Sequence, residues 1–402
     1  MSKLLEQINS SKKELVKLSD VAVVVPGFAF KSKDFSDDGV ALVKITEIQS
    51  PYVVLDRCSR VDTTKYDSKK LKKYFLNEGE FVIAMTGATI GKVGKVITNE
   101  PLLLNQRVAV VRPKPDFSRK FIESKLTSSS FQSYINSIAS GSSAQANISG
   151  DDIGDFKFML PDLPVQNKIA EILSAYDAKI ENNNLIIKKL EATAQTLFDE
   201  WFVNFRFPGY EKTKFVDSEV GEIPEGWKTS LLSDIAHIVM GQSPTSNHYN
   251  NDKNGLPFHQ GVTNFGDRYP EDVVYSTGGE KIALENDILV SVRAPVGRIN
   301  IANRKTIIGR GLCSLRSKND KQSFLLYLLK NLFHKEDLFG GGSVFPSITK
   351  SELEKLKIVI PSLEVIDSFE EVVSTFDFKI KNTIKENISL GSQRNQLLTK
   401  LI

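Results

Sequence analysis

The sequence predicts an α+β protein: two tandem β-rich modules joined and separated by two long helices, which form an antiparallel coiled coil in a pseudo-two-fold arrangement. Three observations predict it. FKFMLPDLPVQNKIAEILSAYDAKI, from Phe156, returns as LKIVIPSLEVIDSFEEVVSTFDFKI from Leu356, 200 positions on and without a gap. Upstream of each copy lie short Val/Ile runs broken by Gly, Pro, Asn and Ser, the pattern of strands and turns. Downstream of each, apolar residues step by threes and fours, the pattern of a helix with one buried stripe.

The elements follow in order. MSKLLEQINSSKKELVK is polar and charged and reads as a helical lead over 1–17. It lacks the apolar centre of a signal peptide, and no run of 18 apolar residues follows, so a cytoplasmic protein without a membrane span is expected. The first module runs from about 18 to 162, and the second from about 232 to 362. LSDVAVVVPG at Leu18 parallels LSDIAHIVMG at Leu232; LLNQRVAVVR at Leu103 parallels IIGRGLCSLR at Ile307; GSSAQANIS at Gly141 parallels GGSVFPSIT at Gly341. The pieces keep their order while loops change length, as in a duplication.

The first helix is expected over 163–207. Val165, Ile169, Ile172, Tyr176, Ile180, Asn183, Ile187, Leu190, Ala194, Leu197 and Trp201 form its seam, with one extra four-residue step at Tyr176–Ile180. The seam from Val165 to Trp201, 37 residues, spans about 55 Å at 1.5 Å per residue. A linker over 208–231 leads to the second module. The second helix, 363–402, repeats the seam less ideally: Asn387 and Arg394 lie on it, and Gly391 costs about 1 kcal/mol relative to Ala. Its natural partner is its own duplicate; ordinary core helices packed on their domains are the alternative. Trp201, Phe202 and Leu401 are expected to be exposed and to make the isolated chain poorly soluble.

MTGATIGKVGK, Met85–Lys95, resembles a phosphate-binding loop but fails its spacing. Three residues rather than four separate Gly87 from Gly91, and Val93 follows Lys92 where Ser or Thr is needed for magnesium. Aligned without a gap, the second copy of its TGATIGKV, Thr86–Val93, is VRAPVGRI, Val292–Ile299, which lacks the Lys. What the copies share is strand, turn, Gly, cation, strand, so Gly91 and Gly297 are expected to serve the backbone, with Lys92 and Arg298 exposed.

No catalytic constellation is legible. His237, His248, His259 and His334 form no His-Glu-x-x-His pair, and no nucleophile elbow or methyl-donor loop occurs. Asp116 and Glu123 are spaced like a nuclease metal pair, but Glu123 falls in a helical pattern and the second copy lacks the acids. Cys58 and Cys313 have no neighbours at zinc spacing and read as reduced thiols in packed strands. No catalytic residue, metal or cofactor is therefore expected on this chain. The net charge of +3 permits a nucleic-acid partner without indicating one.

Two similar modules on a helical spacer suit two short sites on one rod. DNA half-sites about one turn apart, roughly 34 Å, present equivalent grooves. Since the modules differ in sequence, the target would be asymmetric and split. Over nearly its whole length the chain resembles the specificity subunit of Type I restriction–modification systems. LPDLPVQNKIAEILSAYDAKIENN, ATAQTLFDEWFVNFRFPGYE and GEIPEGWKTSLLSDIA resemble the family's central conserved region passing into a second target-recognition domain. IPSLEVIDSFEEVVSTFDFKI resembles the distal conserved region, with Ile366 where the first copy has Gln166.

The resemblance implies a non-catalytic DNA-recognition subunit. Its partners would be double-stranded DNA, two modification subunits that supply S-adenosylmethionine-dependent adenine methylation, and restriction subunits that use ATP and magnesium. Candidate DNA contacts are donors and acceptors on module loops. In the first module they are Lys31, Lys33, Lys44, Thr86, Thr89, Lys92, Gln145 and Asn147. In the second they are Gln242, Ser243, Asn247, His259, Gln260, Asn264, Arg293, Arg298 and Ser343. Gln166, Asp177, Lys179, Asp377 and Lys379 are candidate contacts to modification subunits. Solvated loop residues and solvated helix flanks are the respective alternatives. A scaffold of two β-rich modules that binds protein and no DNA is the competing function.

Overall fold

The computed structural model describes residues 11–55, 58–139, 147–334 and 347–401. The chain divides into two compact units: residues up to Asn183 together with those from Glu386 onward, and residues Asn184–Lys385. Each unit is an α+β body.

In the first unit the strands are β1 (Lys13–Lys17), β2 (Ala22–Pro26), β3 (Phe35–Ser36), β4 (Val40–Val43), β5 (Ile48–Gln49), β6 (Tyr52–Val53), β7 (Arg60–Val61), β8 (Phe75–Leu76), β9 (Phe81–Ala84), β10 (Val93–Lys95), β11 (Leu102–Leu104), β12 (Val108–Pro113) and β13 (Lys157–Pro161). They build a sheet of order β2-β12-β9-β10-β6-β5, another of order β3-β7-β4-β11-β8, and the pair β1-β13. Helices α1 (Arg119–Leu126), α2 (Ser129–Ala139) and the start of α3 (Leu163–Phe198) lie against the first sheet.

Side chains alternate across these strands with period two. From β9, Val82 and Ala84 enter the core shared with Ala41, Val43, Leu102 and Leu104. Ile83 and Met85 enter the core shared with Phe121, Phe131, Ile135 and Ile169. The central sheet is buried on both faces, which explains why FVIAM is an unbroken apolar run rather than an alternating one.

The second unit repeats this plan. Its strands are β14 (Phe215–Ser218), β15 (Gly221–Pro224), β16 (Lys228–Leu231), β17 (Ala236–Met240), β18 (Tyr249–Asn250), β19 (Leu256–His259), β20 (Tyr275–Ser276), β21 (Ile282–Ala283), β22 (Ile288–Ser291), β23 (Ile299–Ile301), β24 (Thr306–Ile308), β25 (Leu312–Ser317) and β26 (Lys357–Ile360). The orders β17-β25-β22-β23 and β18-β20-β19-β24-β21 match, strand for strand, β2-β12-β9-β10 and β3-β7-β4-β11-β8. The pair β16-β26 matches β1-β13. Helix α4 (Gln322–His334) stands where α1 and α2 stand, and α5 (Leu363–Leu401) follows as α3 does.

Five expectations are corrected. The duplication begins earlier than Leu18: Lys13–Lys17 is a strand paired with Lys157–Pro161, not part of a helical lead, because the neighbouring strand offers it a full ladder of partners. Residues 1–10 lie outside the described residues. The stretch 208–231 is not a bare linker. It holds the β14–β15 hairpin and β16, with Phe207, Ile223 and Trp227 in a small core of their own. The first helix ends at Phe198 in a five-residue π turn, Asp199–Val203. Trp201 and Phe202 pack against the second unit's core and Leu401 is buried in the first, so none is a free apolar surface. Cys313 is in β25, where burial pushes its thiol up to about 12, but Cys58 is half-buried between strands.

Within each unit the long helices run antiparallel. In the first, Asp177 pairs with Arg394 (2.5 Å), while Asn183 donates to Glu386 and Asn387 (both 2.8 Å). The polar seam residues Asn387 and Arg394 are thus partnered rather than defective. In the second, Phe198 meets Phe369 at 5.9 Å between ring centres.

A buried acid–arginine pair is also duplicated. Arg112 on β12 donates through Nε to Glu80 (2.7 Å), and Arg316 on β25 donates to Asp287 (2.5 Å). Burial alone would raise the Glu80 carboxyl, but the Arg112 guanidinium and the Asn77 N–H more than offset it and hold the pKa below the usual glutamate value. A lowered folded pKa contributes stability that is complete above the unfolded value of about 4.3 and is lost as pH falls through the folded value. Glu80→Gln is expected to remove part of the acid sensitivity of the first unit. Hydrogen exchange over Phe75–Pro113 at pH 7 and at pH 4 checks this; equal acid sensitivity in both proteins would refute it.

Candidate nucleic-acid interface

Strands β2, β4, β9 and β11 end, and β10 and β12 begin, at one edge of the first unit. Three backbone links tie the loops there. Gly27 N–H donates to Val108 O (2.9 Å), Met85 N–H to Arg107 O (2.9 Å), and Ile148 N–H to Met85 O (2.9 Å). The second unit has the same three: Gly241 to Leu312 (2.9 Å), Val292 to Gly311 (2.9 Å) and Ile348 to Val292 (2.8 Å).

These bonds correct the alignment of the two loops. Met85 corresponds to Val292, and Thr86, which bridges Asn147, corresponds to Arg293, which bridges Ser347. Gly91 still corresponds to Gly297, so the second loop is one residue shorter, a gap that sequence matching had hidden. Both glycines have positive φ, +78° and +81°, and a Cβ on either would come within 2.8 Å of a side chain of the helix behind.

Most of the expected DNA-contact residues come to these edges. Lys31 and Lys33 are exposed beside the one-turn helix Ser32–Asp34. Lys44 follows β4 half-buried, its Nζ 2.6 Å from Ser59 Oγ and above the Phe35 ring. Lys92 and Asn147 are exposed, whereas the Thr86 and Thr89 hydroxyls are buried without a hydrogen-bond partner among the described residues. In the second unit Gln242, Asn247, Gln260, Arg293 and Arg298 are exposed, Ser243 donates to Gln260 Oε1 (2.7 Å), and Asn264 is half-buried in the one-turn helix Val262–Asn264. Gln145 and Ser343 lie outside the described residues.

His259 is a correction. It is 2% exposed at the end of β19, with Nε2 3.2 Å from Asp272. With Pro257 and Phe258 before it also buried, His259 is enclosed at the strand end and is not presented to a base edge.

The arginines separate into two groups. Arg60, Arg112, Arg119, Arg206, Arg268, Arg304, Arg316 and Arg394 are each ion-paired. The other described ones, Arg107, Arg293, Arg298 and Arg310, are exposed, and their side chains make no ion pair or hydrogen bond among the described residues. All four lie at these two edges. Sequence reading missed Arg107, Arg310 and Gln106; the clue was their place in the matched blocks LLNQRVAVVR and IIGRGLCSLR.

The helix residues behave differently. Gln166 is 3% exposed: it accepts from the Ser118 N–H (3.0 Å) and donates to Pro161 O (2.8 Å), fixing the start of α1. It is internal, not a docking residue. Ile366, its counterpart, is buried apolar core. In the second unit Glu370, one turn further along, accepts from Ser323 and Phe324 N–H groups (3.0 Å each) and fixes the start of α4. Ile366 therefore marks a relocated helix anchor rather than a lost surface contact. Asp177 is exposed but engaged by Arg394, Lys179 is exposed 3.5 Å from Glu386, Asp377 is half-buried against Arg268, and Lys379 is exposed. Glu123 is on α1, paired with Arg119 at 2.7 Å, not on a strand beside Asp116. No cluster of metal-ligating residues occurs among the described residues. No helix among them is long and apolar enough to cross a membrane.

The model of the Type I restriction modification DNA specificity domain matches residues 10–192 and again 224–390. The chain belongs to this family. A relative from Methanocaldococcus jannaschii, named as the type I restriction enzyme MjaX specificity subunit, is 32% identical over 96% of this chain and 92% of its own length. The MjaIX specificity subunit of the same organism is 24% identical over 97% of this chain and 92% of its own length. The crystal structure of a Type I restriction–modification S subunit from M. genitalium shares the fold, with a TM-score of 0.56, 15% identity, and coverage of 98% of this chain and 97% of the other. As a specificity subunit the chain recognises DNA and is non-catalytic.

Proposed function

We propose that this specificity subunit reads a split, asymmetric DNA target, one half-site per module, and that its helices set the unread gap. In this reading 18–162 and 232–362 are the target-recognition domains, and 163–207 and 363–402 supply the spacer. Double-stranded DNA and two modification subunits are its partners, with restriction subunits joining them. S-adenosylmethionine, ATP and magnesium act on those partners, in the cytoplasm.

The observation that carries the reading is the segregation of arginines. Among the described residues, guanidinium groups elsewhere in each unit are neutralised by carboxylates, whereas those at the two equivalent loop edges make no ion pair. Unpaired Arg and Lys beside Asn and Gln supply both halves of DNA recognition. The cations release counterions from phosphates, and the amides and guanidiniums meet base edges. A net charge of only +3 fits a subunit that shares phosphate contacts with partners.

The test is a genome-wide adenine-methylation map of cells carrying this chain with its modification subunit, against cells with that subunit alone. One split motif that appears only with this chain is the expected outcome. A complex that assembles but adds no motif would favour the protein-binding scaffold.

A further inference from the structure

We propose that one position in each module, Gln106 in the first and Arg310 in the second, reads a base directly and makes the two half-sites differ. The inference rests on the recognition reading above and assigns it a chemistry.

The two residues occupy the same place. Gln106 lies in the turn from β11 to β12, and Arg310 in the turn from β24 to β25. Around Gln106, the Asn105 N–H donates to Val43 O (3.0 Å) and the Val108 N–H to Asn105 O (2.9 Å). Around Arg310, the Gly309 N–H donates to His259 O (2.8 Å) and the Leu312 N–H to Gly309 O (3.0 Å). The following residues, Arg107 and Gly311, accept from Met85 and Val292. Each turn is thus bonded to the strand on one side and to the neighbouring loop on the other. In the second module the Gly311 N–H also donates to Gln260 O (3.1 Å), and the Arg310 N–H approaches Ser243 Oγ (3.3 Å).

Fixed backbone and free side chain occur together here. Both side chains are exposed, and neither makes a hydrogen bond or ion pair among the described residues. A reader held on rigid elements loses little entropy beyond its own rotamers when it meets a base. Arg310 is also central. The loop that starts at Gly241 is bonded to Leu312, and the loop that starts at Val292 is bonded to Gly311, so Arg293 and Arg298 flank it from one side and Gln242 and Ser243 from the other. The cations on one side, Arg293 and Arg298, suit phosphates, and the guanidinium between them and the neutral Gln242 and Ser243 suits a base edge in the groove.

The side chains differ in what they select. A guanidinium donates twice to guanine O6 and N7, whereas a glutamine amide both donates and accepts and fits adenine N7 and N6. The half-site of the second module should carry a G·C pair at the position read by Arg310. That of the first should carry an A·T pair at the position read by Gln106.

The experiment uses the whole complex with its modification subunits, acting on a pool of duplex DNA with randomised sequence, the methylated molecules being sequenced. For Arg310→Gln, preference for G·C at one position of one half-site should fall roughly tenfold or more, with the other half-site unchanged. Gln106→Ala should relax one A·T position in the opposite half-site. An unchanged base preference, or a uniform fall in methylation with the same motif, would make Arg310 a phosphate contact and overturn the inference. So would loss of all methylation by both Arg310→Gln and Arg310→Ala in complexes that still assemble. A wild-type complex that methylates no split motif would instead remove the recognition reading itself.

Discussion

Arg268→Ala is expected to destabilise the second unit by about 3–5 kcal/mol, the cost of breaking a buried charge network from one side. Arg268 is 7% exposed; it donates to Glu191 on α3 (2.8 Å) and to Asp377 on α5 (2.5 Å). Burial alone would lower its pKa, but the Asp377 and Glu191 carboxylates more than offset this and raise it. Its own carbonyl accepts from the Ile301 N–H (2.9 Å), so the residue joins the β-rich module to both long helices of its unit. Removing it leaves two acids facing an unneutralised cavity. Arg268→Met should cost much less, because filling the volume with an apolar chain removes the demand for charge, and a buried ion pair is weak evidence of stability in itself. Both tryptophans of the chain, Trp201 and Trp227, lie in the second unit, so their fluorescence during urea titration reads this unit alone. Equal losses for Ala and Met would refute the charge argument and leave only lost packing.

Phe369→Ala is expected to cost a similar amount, about 3–5 kcal/mol, for a different reason. Phe369 is fully buried on α5, with the rings of Trp201, Phe202, Phe198, Tyr327 and Phe324 at 6.1, 5.0, 5.9, 6.3 and 6.5 Å between centres. Five aromatic neighbours cannot all collapse into the space, so a cavity remains. Phe369→Leu should recover much of the loss. The same fluorescence titration reads it, and hydrogen exchange in the first unit should stay at wild-type values. A midpoint within error of wild type for Phe369→Ala would sink the claim that this cluster holds the helices to the module.

The duplication and the helix seam were legible because both are periodic. Val165, Ile169, Ala194 and their companions are all buried or half-buried, as their spacing required. The α+β class followed from short apolar runs beside those helices. Less legible were features that depend on contacts distant in sequence. Lys13–Lys17 has no strand signature of its own; β13, far along the chain, makes it one. His259 looks like a loop residue until the parallel pairing of β19 with β24 encloses it at the strand end. Gln166 looks like a surface polar group on a helix, and only Ser118 shows it to be an anchor. Arg310 was hidden for the opposite reason. Nothing in its neighbourhood marks it until every other described arginine outside the loop edges is seen to have a carboxylate. The β14–β15 hairpin had a signal in FVDSEVGEIP, alternation around a Gly turn, masked by the polar stretch around it.

The place where the chain closes on itself has a consequence for the order of its synthesis. Leu397, Leu398 and Leu401 fill the same core as Ile169 and Leu173, so the first unit to be translated is the last to be finished. The second unit is one unbroken stretch and has all its residues once Lys385 has emerged. The first must hold its β-rich module with one apolar flank uncovered while about 200 further residues are made, and closing so long a loop costs only slowly growing entropy but real time. During that interval the uncovered flank of α3 is what a chaperone would meet. A ribosome stalled before Glu386 would release a chain whose second reader is whole and whose first is open.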